Sequence, residues 1–202
     1  MPTNLPRLIG LDLSEEQITD ATEEEKPKSL PMTEVIRLIR QILSGLIYLH
    51  THGIIHRDIK PANILLSSRE NGLARLCDFG MVKLGPKRDI PSGAWIGTPD
   101  YMSPEQKVDA GLIDEKADIY AIGALIWRML TGQIPGPSPS QQHLELLDIA
   151  PPIAAIIAAA MAPDPSHRPS AEQLLRSLTA PSTRSVTIQV PGLPRTEGTI
   201  KN

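Results

Sequence analysis

Between residues 33 and 51, apolar side chains return every three or four positions: Val35, Ile36, Ile39, Ile42, Leu43, Leu46, Ile47 and Leu49. That spacing lines one face of a helix and no face of a strand, so 33–51 is predicted to be an amphipathic helix. A stripe of this length must be covered, which obliges the rest of the chain to supply a packing surface. Gly53 follows where a helix end favours a residue that tolerates left-handed backbone. Aromatic residues make up only 3% of the chain against an apolar fraction of 41%. Leu, Ile, Ala and Val must therefore fill the core, which favours packed helices over aromatic-rich sheets. At 202 residues the chain reads as one domain, able to bury roughly 70% of its unfolded surface.

Further helices are predicted at Ala117–Leu130, closed by Thr131-Gly132 and Pro135, and at 151–162, opened by Pro151-Pro152. A last one is predicted at Ser170–Leu178, with Ser170 as its N-cap. Two short apolar runs, NILL at 63–66 and ARLC at 74–77, flank Asn71-Gly72; that dipeptide predicts a β-hairpin. Residues 81–99 carry Gly, Pro and charge without a period, the pattern of a long surface loop, and one of that length is usually functional or disordered. GPSPS at 136–140 is a further loop. The expected division is an acidic N-terminal segment or linker over 1–29, a folded domain over 30–180 and a flexible tail over 181–202.

The net charge of −3 makes no electrostatic case for nucleic acid or an anionic membrane. No apolar run reaches the length of a membrane span, and the N-terminus lacks a signal-peptide pattern. A single cysteine, Cys77, excludes an internal disulfide and a Cys-based metal cluster. His50, His52, His143 and His167 show no metal spacing. The expectation is a cytoplasmic protein.

Chemistry concentrates in three motifs. HRDIKPAN at 56–63 follows the long helix. Phosphoryl transfer from a nucleotide needs a carboxylate near the attacking hydroxyl, and groups that hold magnesium and phosphate charge. Asp58 and Asn63, five apart with Lys60 between them, fit that need. Asp78-Phe79-Gly80 comes fifteen residues after Asn63, just past the hairpin, and adds a second hard oxygen ligand. GTPDYMSPE at 97–105 ends the long loop. KADIYAIG at 116–123 and SHRPS at 166–170 follow it. Each piece alone is weak, but their order and spacing together are specific.

From about Pro31 to Leu178 the chain resembles the C-terminal, catalytic lobe of the serine/threonine protein kinases. The resemblance implies a mainly α fold with short β-hairpins, the C-terminal lobe of the protein-kinase fold. It implies transfer of the γ-phosphate of MgATP to a serine or threonine of a protein substrate. Asp58 would orient and deprotonate the substrate hydroxyl, and Lys60 would neutralise the γ-phosphate. Asn63 and Asp78 would hold Mg²⁺, and Leu65 would lie under the adenine ring. Phe79 would pack inward, and Gly80 would let the backbone turn. Cys77 would face the nucleotide pocket, more as a small buried hydrophobe than as a reactive thiol. His56 and Trp127 read as packing residues, His56 with a backbone hydrogen bond. Asp118 matches the acid that anchors the catalytic loop from beneath, and Arg168 matches the arginine that pairs with Glu105. Lys60 and Thr98 follow the serine/threonine pattern rather than the tyrosine one. Arg57 suggests switching by a loop phosphate, with Ser92 as the candidate because Ala94 cannot carry one. Ser103 stands where alanine is common in the family.

The family pattern also contains a glycine-rich loop, a strand lysine and a helical glutamate. Before Asp58 the glycines are Gly10, Gly45 and Gly53, and the lysines are Lys26 and Lys28. The N-terminal lobe is therefore expected to be missing from this sequence. Three readings are open at this point. The chain is a kinase lobe completed by an N-lobe encoded elsewhere, or a catalytically inactive remnant acting as an interaction module toward a partner or a full kinase, or a product without a settled role. Retention of Asp58, Lys60, Asn63 and Asp78 together favours catalytic use, whereas the lack of a phosphate clamp argues against catalysis by the chain alone.

Overall fold

The computed structural model describes residues 3–4, 29–67, 72–84, 97–111, 113–136 and 149–179. The acidic segment 1–29 (Thr3, Asn4 and Ser29 apart), Asn71, Ser92, Ala94, Pro137–Ser140 and the tail 181–202 lie outside them.

The predicted first helix is α1, Met32–Thr51. Its stripe buries Val35, Leu38, Ile39, Ile42, Leu43 and Leu46, while Ile36, Ile47 and Leu49 sit half-buried at the stripe's edges. Gly53 follows with φ 69°, the left-handed turn its position called for. The chain then enters strand β2, Ile54–Ile55, and after the 56–60 segment makes a 3-10 turn at Pro61–Asn63.

The predicted hairpin is present, as β3 (Ile64–Leu66) against β4 (Ala74–Leu76), with Ile64 opposite Leu76 and Leu65 opposite Arg75. Two pairings were not foreseen. Strand β1, Thr3–Asn4, lies antiparallel on the free edge of β3, and β2 pairs with β5, Lys83–Leu84. Segment 56–63 is thus fastened at one end to a two-stranded sheet and at the other to a three-stranded one.

Helix α2 spans Pro104–Asp109 and α3 spans Lys116–Thr131. Every residue of α3 from Ala117 to Met129 is buried, the signature of a helix enclosed on all sides. Gly132, at φ 71°, closes it and donates to Arg128 O. Helix α4 (Pro151–Ala160) packs on α3, and α5 (Ala171–Thr179) packs on α1. At Gly123 an added Cβ would stand 2.6 Å from Met161 Cγ and 2.9 Å from Ala160 Cβ, so only glycine permits this approach of α3 to the end of α4. Ser170 caps α5 reciprocally: Gln173 N–H donates to Ser170 Oγ at 3.3 Å, and Ser170 N–H donates to Gln173 Oε1 at 2.7 Å. Trp127 lies in the core as expected. None of the described helices is long and apolar enough to cross a membrane.

Candidate functional site

Asp118 is set in the first turn of α3 and is 1% exposed. Its Oδ2 accepts from His56 N–H at 2.9 Å and its Oδ1 from Arg57 N–H at 2.8 Å. His50, at the end of α1, adds Nε2 at 2.9 Å from Oδ2. One buried carboxylate thus ties the most enclosed helix to the start of the 56–63 segment. Arg57 has φ 68°, a left-handed conformation that costs a non-glycine residue about 1–2 kcal/mol. The guanidinium of Arg57 donates to Met81 O and, at 3.0 Å, to Val82 O, binding the segment to the residues after Gly80.

The next residue, Asp58, is 9% exposed and sits at the centre of a closed network. Asn63 Nδ2 donates to Asp58 O at 2.7 Å and to Asp58 Oδ2 at 3.0 Å. Lys60 Nζ lies 2.9 Å from the same Oδ2. It also donates to Thr98 Oγ1 at 2.8 Å, and Thr98 Oγ1 donates to Asp58 Oδ1 at 3.0 Å. Three of the expected site residues, Asp58, Lys60 and Asn63, are therefore in direct contact. Thr98 joins them from forty residues away. The sequence reading used Thr98 only to assign a substrate class; no local signal marks it as a member of the network.

Thr98 is seated by its neighbours. Gly97 has φ 114°, and an added Cβ would come 2.9 Å from Arg57 O and 3.0 Å from Gln106 Nε2. Gln106, buried on α2, donates to that same Arg57 carbonyl at 2.7 Å. Below it, Glu105 meets Arg168 as a two-pronged pair, Nη1 to Oε1 at 2.6 Å and Nη2 to Oε2 at 2.8 Å, as the resemblance implied. Arg168 is 2% exposed, stacks over Tyr120 and donates to Ala162 O and Pro163 O as well. Burial pushes the Glu105 carboxyl up, but the Arg168 guanidinium and further hydrogen bonds outweigh it and leave the carboxyl below its ordinary value.

Asp78 reaches the site through the backbone. Cys77 N–H donates to Asn63 O at 3.0 Å, and His56 Nε2 lies 3.2 Å from Cys77 O, which fixes the residue before Asp78 to both ends of the 56–63 segment. Asp78 is exposed with φ 62°, and its Oδ1 accepts from Gly80 N–H at 3.2 Å. With the Asn63 amide nitrogen turned to Asp58, the amide oxygen and the Asp78 carboxylate are the hard donors on offer here. Oxygen donors of this kind, with space for retained waters, suit Mg²⁺. Burial, then the Asp78 charge, push the Cys77 thiol up, which suits a small packed side chain better than a nucleophile.

One expectation changes. Phe79 does not pack inward: it is 49% exposed, with its ring 5.4 Å from the His56 ring. Arg57 is buried and donates to the Met81 and Val82 carbonyls, and Ser92, the candidate for the loop phosphate, lies outside the described residues. Leu65, expected beneath an adenine ring, is 41% exposed on the face of β3 it shares with Arg75. Lys83 also went unforeseen: it is 3% exposed, and its Nζ donates to Gly111 O at 3.0 Å and Ile113 O at 2.9 Å.

The sequence profile of the protein kinase domain matches residues 8–181. The serine/threonine-protein kinase pkn2 of Myxococcus xanthus is 34% identical over 188 residues, covering 83% of this chain and 22% of the relative. Its pkn3 is 31% identical over 172 residues, covering 73% and 31%. The serine/threonine-protein kinase PknL of Mycobacterium tuberculosis is 41% identical over 107 residues, covering 52% and 26%. The chain thus spans roughly a quarter of the length of these relatives.

Proposed function

Because this chain belongs to the protein kinase family, we propose that it contributes the catalytic loop of a serine/threonine protein kinase, transferring the γ-phosphate of MgATP to a hydroxyl of a protein substrate. The observation that carries the reading is the closed network of Asp58, Lys60, Asn63 and Thr98. A structural turn has no need of a carboxylate held by a cation, an amide and a hydroxyl at a partly open site.

Asp58 is the group that meets the acceptor hydroxyl. Its Oδ1 has Thr98 as its partner among the described residues, so a lone pair remains to orient the hydroxyl and take its proton. Lys60, with its side chain 26% exposed, keeps contact with Asp58 while presenting its ammonium to phosphate oxygens. Asn63 and Asp78 are the residues that would hold magnesium, which when bound neutralises phosphate charge. Leu65 and Phe79, both exposed, offer apolar surface to the nucleotide base and to a kinase N-lobe, whether borne by the same protein or by another. The cytoplasm, where nucleoside triphosphate and magnesium are available together, is the proposed setting.

The test compares the protein with its Asp58→Asn variant in phosphate transfer from labelled MgATP to a generic protein substrate. Loss of a positioned base should lower transfer by roughly 10²–10⁴-fold. Transfer unchanged by the substitution would mean a contaminating kinase. No transfer from either protein, both folded, would favour a binding role for this lobe.

A further inference from the structure

We infer that Gln106 is a positioning residue for phosphate transfer, its amide fixing the peptide plane that joins Arg57 to Asp58 and so aiming the Asp58 carboxylate. This rests on Asp58 meeting the acceptor hydroxyl, and goes further by naming a side chain outside the 56–63 segment that sets its direction.

Arg57, the residue before Asp58, is left-handed with φ 68°. Two soft angles decide where such a residue sends the chain, and the second of them turns its carbonyl. Asp118 holds the first side of the turn, at Arg57 N–H. Gln106 holds the second: its Nε2 donates to Arg57 O at 2.7 Å. Without that bond the carbonyl can swing, and the peptide plane that carries Asp58 swings with it.

The amide acts from a fixed point. Gln106 lies on α2 and is 2% exposed, a place where a side-chain amide is costly unless it is bonded. Its neighbour Glu105 is locked to the buried Arg168 through both carboxylate oxygens. Gly97 closes on the same bond, since a Cβ there would meet Arg57 O at 2.9 Å and Gln106 Nε2 at 3.0 Å. The amide therefore stands where the backbones leading to Asp58 and to Thr98 meet. Those two residues touch, Thr98 Oγ1 donating to Asp58 Oδ1 at 3.0 Å, so a shift of the Arg57 carbonyl disturbs their contact as well. One neutral hydrogen bond adds little net stability, whereas small misplacements of a reacting group cost large factors in rate.

The test is steady-state phosphate transfer by the full-length protein, with MgATP and a serine peptide. Gln106→Met fills the same space without a donor and should lower kcat by about tenfold, with both KM values within about twofold of wild type. Gln106→Glu supplies a readout that packing does not move. Ionised, its carboxylate has no proton to give and opposes the Arg57 carbonyl; protonated, its O–H replaces the amide. Burial and the facing carbonyl raise the pKa of that carboxyl. Its rate, divided by that of wild type at each pH to cancel the titration of Asp58 and its neighbours, should rise severalfold between about pH 8 and pH 6 as the proton returns. A folded Met variant with undiminished kcat, or a Glu-to-wild-type ratio that stays flat with pH, overturns this inference and leaves the kinase reading standing. Absence of Asp58-dependent transfer from the wild type overturns the kinase reading, and amide exchange then decides the placing role. The Arg57 N–H should exchange about tenfold faster in Gln106→Met if the turn has loosened; an unchanged rate overturns the role.

Discussion

Asp118 accepts from the backbone N–H of Arg57 at 2.8 Å, and Arg57 holds the left-handed φ of 68° that delivers Asp58 to its network. The other oxygen of Asp118 takes His56 N–H and faces His50, so both halves of the carboxylate act on one turn. Replacement by Asn turns one acceptor into a donor that opposes a buried N–H. The expected cost for Asp118→Asn is about 1–3 kcal/mol, that of a buried unsatisfied group, read as a lower urea midpoint. Phosphate transfer should fall with it even at temperatures where the variant is folded, because the strained turn relaxes. A folded variant with full transfer would show that the turn holds without its anchor.

Glu105 makes stability depend on acid. Its folded carboxyl titrates below its ordinary value, so the stabilisation is complete above the unfolded value, about pH 4.3. It is lost as pH falls through the lower folded value. Glu105→Ala should cost roughly 3–5 kcal/mol at neutral pH, because it strands the buried Arg168 charge. Glu105→Gln should flatten the acid limb of a plot of melting temperature against pH. An acid limb identical in the Gln variant would assign it to other carboxylates.

What the sequence revealed here is what local spacing encodes. The stripe from Val35 to Leu46 announced α1, Asn71-Gly72 announced β3–β4, and Ser170 announced the cap of α5. The contact of Asp58 with Lys60 and Asn63 also falls within five residues. Thr98, His50 and Lys83 were missed as participants because their partners lie 40, 68 and 28–30 residues away. No periodicity records such distances. Phe79 was misjudged because motif identity says nothing about which neighbours cover a ring.

Gly123 tests the packing of α3 on α4 apart from the site. A methyl group there would lie 2.6 Å from Met161 Cγ, and overpacking of this kind typically costs about 1–3 kcal/mol. Gly123→Ala should lower the urea midpoint accordingly. Adding Met161→Ala removes the nearer of the two close contacts at the expense of a cavity, while Ala160 Cβ at 2.9 Å remains, so the double variant should be more stable than the sum of the two single changes. Simple additivity in this cycle would mean that the two residues do not compete for the same space.

Thr98 is the most informative position for catalysis because its hydroxyl does two jobs at once, accepting from Lys60 at 2.8 Å and donating to Asp58 at 3.0 Å. Thr98→Val keeps the shape and removes both bonds, so Lys60 and Asp58 keep their direct contact at 2.9 Å but lose the hydroxyl that fixes its geometry. Stability should change by only about 1 kcal/mol, the net worth of a hydrogen bond. Transfer should fall by about 10–100-fold, the scale on which small misplacements of reacting groups act. The loss should appear in kcat with the KM for peptide little changed, since Thr98 acts through its two neighbours. Thr98→Ser, which restores the hydroxyl, should recover most of the rate. A Val variant with undiminished kcat, or a Ser variant as slow as Val, would reduce Thr98 to a packing residue and leave Lys60 and Asp58 to hold their geometry unaided.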